Sequence, residues 1–128
     1  VKSILSDVRA FHEVCDVPIR SRPSFPGIDR VTLRNRLLWE EFNEYQEAVA
    51  NRDIVATADA IADIIYIAVG TALEFGIPLD RVWDEVQRSN MAKVDPVTGK
   101  VRKRFDGKVM KPEGWRGPDI EGVMEGVD

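Results

Sequence analysis

The chain has one cysteine and one histidine in 128 residues, and these two scarcities remove whole classes of chemistry. Cys15 stands between Val14 and Asp16 with no second thiol, so neither an internal disulfide nor a thiol-based metal or redox centre can form. It is expected as a half-buried helix residue in a reducing compartment. With His12 alone, a zinc site is disfavoured, as is a di-iron bundle, which needs Glu-x-x-His on two helices. No stretch reads as the ~20 apolar residues that span a bilayer, and no basic segment leads into an apolar run with a cleavage site. A cytoplasmic protein with no membrane partner is the expectation. A net basic field is missing as well: 18 basic residues face 22 acidic ones, a formal charge of −4, which argues against nucleic acid as a partner.

What is present describes one folded domain. A hydrophobic content of 44% and a charged content of 31%, without low-complexity runs or internal repeats, suit a chain with its own core. Residues 1–128 are expected to form a single domain in which 93–128 pack on a helical bundle as a tail.

Val1, Ile4, Leu5, Val8, Phe11 and Cys15 recur at three- and four-residue steps, predicting a first amphipathic helix that ends before Pro18. Residues 17–29, with Pro18, Pro23, Pro26 and Gly27, read as an extended loop. Helical spacing returns from about Asp29 to Asn51. The third helix, roughly Asp53 to Phe75, is apolar nearly all round, so it is expected to be buried on most sides by other helices, including those of a second subunit. Gly76 stops it and Pro78 starts a fourth helix, to about Met91. Beyond Lys93 the chain is rich in turns, with a short ribbon near Val101 to Val109 and a weak terminal helix from Pro118 to Glu125. The fold class is therefore all-α, a bundle of four to five helices with a turn-rich C-terminal tail.

The acidic residues carry the chemistry. Glu40, Glu41, Glu44 and Glu47 fall within eight residues, with no basic residue between Arg36 and Arg52. Glu40, Glu44 and Glu47 share a helix face, and Glu41 lies within i,i+3 reach of Glu44, so the like charges repel unless a cation compensates. A solvated acidic face is the commoner meaning of such a run. Asp63 changes the balance. It stands in Ala60-Ile61-Ala62-Asp63-Ile64-Ile65, where burial is expected, and no lysine or arginine occurs between Arg52 and Arg81 to pair with it along its own helix. A metal shared with the Glu40 helix answers this, with Asp59, one turn earlier, as a further ligand. All-oxygen ligands select a hard cation, magnesium first and manganese as its substitute.

Glu40-Glu41-x-x-Glu44, followed by Asp63 on the next helix, resembles the paired motif of the all-α nucleoside triphosphate pyrophosphohydrolases, the MazG-like and dimeric dUTPase group. Arg88-Ser89-Asn90-Met91-Ala92-Lys93 and Asp106-Gly107-Lys108-Val109-Met110-Lys111-Pro112 resemble the tail of a MazG-like subgroup related to phosphoribosyl-ATP pyrophosphohydrolase and the dUTPases. The likeness runs from Phe11 to Val123. It implies a bundle completed by homodimerisation, with a tetramer as the larger alternative, and Glu40, Glu41, Glu44 and Asp63 as metal ligands. Asn90 and Lys93 would lie near sugar or phosphate. The family's Glu-x-x-Asp on the second helix is broken here by Ala60, leaving Asp59 as the substitute acid. The implied reaction is attack of an activated water on the α-phosphorus with departure of pyrophosphate, Glu41 and Glu40 being the catalytic carboxylates. Lys93, Lys108 and Lys111 are expected at the outer phosphates, and Trp39 and His12 are candidates near the nucleoside, as is the loop with Ile19, Arg20 and Phe25. A deoxynucleotide such as dUTP or dGTP is the expected substrate. The alternatives are phosphoribosyl-ATP hydrolysis and a non-enzymatic helical module docking its acidic face on a basic partner.

Overall fold

A computed structural model describes residues 1–126; Val127 and Asp128, the end of the expected 1–128 domain, lie outside the described residues. Five helices follow one another: α1 (Lys2–Val14), α2 (Ile28–Ala50), α3 (Ile54–Phe75), α4 (Leu79–Met91) and α5 (Ile120–Glu125). The fold is all-α, as expected. The ribbon expected near Val101 to Val109 is reduced to isolated antiparallel bridges, Val94 with Val101 and Lys103 with Val109, and no strand occurs among the described residues.

The connection from α2 to α3 is three residues long, which forces the two helices antiparallel and side by side. Arg52 makes that turn in the left-handed region (φ 52°). Asp53 then caps α3, its side chain accepting from the Ala56 N–H at 3.0 Å, so one of the four open donors of the helix start is satisfied. At the other end Gly76 adopts φ 69°. The loop after α1 docks there: the Arg20 N–H donates to the Leu73 carbonyl and the Ser24 N–H to the Phe75 carbonyl, both at 2.9 Å. Those bonds occupy acceptors that the helix end would leave open. A side chain at Gly76 would collide with the Arg22 carbonyl oxygen, and the left-handed region costs an L-residue roughly 1–2 kcal/mol by itself. Gly76→Ala is expected to lower unfolding stability by at least about 2 kcal/mol, measured by urea titration.

The core is small. Val8, Val69 and Leu73 are buried, Val8 completely, and Leu5, Ile19 and Leu79 pack around them. This joins α1 to the C-terminal half of α3, while α2 covers α3 along its length. Two expectations need correction and one is met in part. First, one chain encloses α3 only in part: Ile54, Ala58, Ile61, Ile65 and Ala68 form an exposed apolar stripe, Ile54 being 78% accessible. Second, α3 is long and apolar enough, by length and composition, to cross a membrane, where no such stretch was expected. Its dispersed alanines and isoleucines hide that total from a search for an unbroken apolar run. Third, Cys15 is exposed, because it caps α1 beyond the last packed turn.

Candidate metal centre

Glu41 and Glu44 lie one turn apart on α2, and Asp63 faces them from α3. One carboxylate oxygen of each lies within 4.8 Å of the others. Three carboxylates so close repel one another. The Oε2 atom of Glu41 is shielded from solvent and has no hydrogen-bond partner. Desolvation is the largest influence on Glu41, followed by the charge of Glu44, a shared hydrogen bond with it, and the charges of Asp63 and Asp59; together they push its pKa up to about 7. Asp63 is raised by desolvation first, then by Asp59 and Glu44. It is half-buried, less enclosed than its apolar neighbours imply, because Ile61 and Ile65 point outward on either side.

An acidic trio with an orphaned oxygen and raised proton affinity fits a hard divalent cation: the ion would replace the proton and accept all-oxygen ligands. Glu40 and Asp59 are both exposed and stand outside the trio. Asp59 still raises the proton affinity of Glu41 and Asp63, so its charge reaches the site. Ala60 is buried.

The raised pKa values set a pH dependence. Glu41 binds protons more tightly folded than unfolded, so stability is unaffected below its ordinary value of 4.5 and falls as pH rises from there through about 7. In a chelator, the melting temperature should decline from pH 5 to pH 8, and Glu41→Gln should flatten that decline. Thermal melts across this range are the check.

The other expected site residues separate into groups. Asn90, Lys93 and Lys111 gather around Trp115: the Lys93 ammonium donates to Asn90 Oδ1 at 3.0 Å and lies 5.3 Å from the Trp115 ring centre, with the Lys111 ammonium at 4.6 Å. Trp115 is anchored by its indole N–H, which donates to the Ser89 carbonyl at 2.7 Å. Lys108 lies three residues before Lys111, in a turn where its backbone N–H donates to Asp106. Among the helices α2 packs on α3 alone, and the tail packs on α4; among the described residues none of these basic side chains forms an ion pair with the carboxylates. Trp39 is exposed on α2. His12 is buried against Gly70, seven residues from Asp63 along α3, which is roughly 10 Å at 1.5 Å per residue. Its ring therefore packs in the helix interface, and desolvation and the neighbouring Arg34 lower its pKa. Ile19 and Arg20 line a cavity of about 540 Å³ beside Gly76, and Phe25 packs edge-on to Phe75. Both lie toward the opposite end of α3 from Asp63.

The reading of the sequence missed a buried ionic cluster. Glu74 is fully enclosed, paired with Arg30 at 2.7 Å and with Arg34 at 2.9 Å. A signal existed: Arg34 occupies the apolar stripe between Val31 and Leu38, and Glu74 follows Leu73 at the end of the most apolar helix.

Residues 8–90 match the family model described as phosphoribosyl-ATP pyrophosphohydrolase. No curated protein matches the chain. The matched segment holds Glu41, Glu44, Asp63 and the Arg34–Glu74 pair, and it stops where the turn-rich tail begins.

Proposed function

Because the chain belongs to the phosphoribosyl-ATP pyrophosphohydrolase family, within the MazG-like all-α nucleoside triphosphate pyrophosphohydrolases, we propose that it converts a nucleoside triphosphate and water to the monophosphate and pyrophosphate, with magnesium held by Glu41, Glu44 and Asp63. Membership makes it a pyrophosphate-releasing hydrolase, and the non-enzymatic docking module falls away. The observation that carries the metal reading is the carboxylate trio, whose oxygens meet within 4.8 Å with no ion pair to any of the three among the described residues.

When bound, magnesium neutralises phosphate oxygens and makes water a better nucleophile at neutral pH. The chain's own residues do the rest. Glu41, whose Oε2 has no hydrogen-bond partner, is the first candidate to take the proton of the attacking water. Glu40, exposed beside it, is the second candidate, and Asp59 is the outer acid. Glu44 and Asp63 hold the cation from two helices, so the distance between α2 and α3 sets the geometry. Asn90, Lys93, Lys108 and Lys111 are assigned to sugar and phosphates, and Trp39 to the base.

A homodimer belongs to this reading. The exposed stripe on α3 is a seam of helical spacing that a second copy would cover, and a second copy would also offer its basic tail to the carboxylates. The single domain through residue 128, a tetramer as the larger assembly, and the cytoplasmic setting stand with it.

Among substrates, dUTP and dGTP are the first to test. Phosphoribosyl-ATP is the second reading, favoured by the description of the matched family. Its triphosphate offers the same bond. A panel of nucleotides with magnesium or manganese, scored for pyrophosphate, decides between them: turnover of a deoxynucleoside triphosphate supports the first reading, turnover of phosphoribosyl-ATP alone selects the second, and orthophosphate as the product refutes attack at the α-phosphorus.

A further inference from the structure

We propose that Arg34 is a positioning residue for the carboxylate site, a buried clamp that fixes the register of α2 along α3. The inference rests on the reading of Glu41, Glu44 and Asp63 as the metal site. Arg34 is 5% accessible and spends its guanidinium on α3 alone. Its Nε donates to Thr71 Oγ1 at 3.1 Å, its Nη2 to the Ile67 carbonyl at 2.9 Å, and its Nη1 lies 2.9 Å from Glu74 Oε2. Three positions spread over two turns of α3 are thus tied to one side chain. Arg34 approaches through Gly70: a Cβ there would lie 2.6 Å from Arg34 Nη2 and 2.7 Å from His12 Nε2.

The spacing connects this clamp to the site. Arg34 lies opposite Gly70, and in an antiparallel pair the partners seven residues on and seven residues back also lie opposite. Those partners are Glu41 and Asp63, two turns further along on the same helix faces. A slip of one turn moves α2 by about 5.4 Å, more than the 4.8 Å that the carboxylate oxygens span, and the trio would separate. Apolar contacts between these helices would tolerate such a slip far better, since leucine, isoleucine and alanine pack without direction. Guanidinium hydrogen bonds to a hydroxyl and a backbone carbonyl, joined by an ion pair to a carboxylate, do not. The value of a buried ionic group in this position is specificity of alignment, because a well-packed apolar replacement of a buried pair is often equally stable.

That contrast supplies the experiment. Manganese alone, without nucleotide, is titrated into the full chain by calorimetry, alongside thermal melts in chelator. The Arg34→Met, Glu74→Leu double variant should keep a melting temperature close to the parent while its manganese affinity falls at least about tenfold. Val8→Ala, a core truncation on α1 that removes none of the Arg34 bonds and none of the three carboxylates, should melt earlier yet bind manganese within about twofold of the parent. A folded double variant that binds manganese like the parent overturns the clamp. Should that variant not fold, Thr71→Val removes one acceptor at constant shape and should weaken manganese binding several-fold; unchanged binding there overturns the proposal equally. Glu41→Gln separates the two levels. If it leaves manganese binding intact, the metal-site reading fails; if it weakens binding while the folded double variant, or Thr71→Val in its place, does not, only the clamp fails.

Discussion

Glu41→Gln is expected to reduce pyrophosphate release by about 10²–10⁴-fold, the usual contribution of a positioned general base, while making the metal-free protein more stable at pH 8. The two effects have one origin. Glutamine keeps the shape of the side chain but neither carries the charge that the cation needs nor accepts the proton of water. It also removes a desolvated charge and its repulsion with Glu44, Asp63 and Asp59, which together raise the Glu41 pKa to about 7. Activity with magnesium and melting in chelator should therefore move in opposite directions. Asp63→Asn should behave alike, since its proton affinity is raised by desolvation and then by Asp59 and Glu44. If Glu41→Gln retained full turnover, its assigned role would be wrong. If activity were lost together with metal-free stability, the residue would be structural.

Glu74→Ala should be the most destabilising single change in the helical bundle, at about 3–5 kcal/mol. The carboxylate is fully enclosed and answers two arginines; without it Arg34 keeps its charge in a site that is almost closed to water, and the removed atoms leave a void. Against a total stability of about 5–15 kcal/mol for a domain, the loss is severe, and the melting temperature should fall by about 10–20 °C. Arg30→Met is the informative comparison. The Arg30 side chain is one-third accessible, so its head can be replaced by water and Glu74 remains paired with Arg34. Unfolding of both variants in urea, with the parent alongside, gives the ranking. Equal losses would mean that the pair with Arg30 carries the cluster.

The helices and the carboxylate site were legible in different ways. Periodicity located α1 to α4 within a few residues, because the apolar steps, the Asp53 cap, the left-handed Gly76 and the Pro78 restart are all local signals. Glu41, Glu44 and Asp63 were legible because α2 and α3 are joined by so short a turn that adjacency follows from chain order. The Arg34–Glu74 pair was not, since each residue taken alone reads as a solvated charge and forty residues separate them. Exposure misled as well. Asp63 is only half-buried and the α3 stripe is open, because an apolar residue does not say which surface will cover it.

The scarcity of cysteine and histidine already determined, without coordinates, that a metal held by several side chains of this chain would have mostly oxygen ligands, and the acid spacing determined which carboxylates share a helix face. Both follow from side-chain chemistry and from the 3.6-residue turn. Which carboxylates meet, which stand aside and what holds the helices in register were decided only in three dimensions. Glu40 and Asp59 fall outside the trio and Arg34 reaches through the notch at Gly70, because the alignment of two helices depends on directional contacts between residues far apart in the chain.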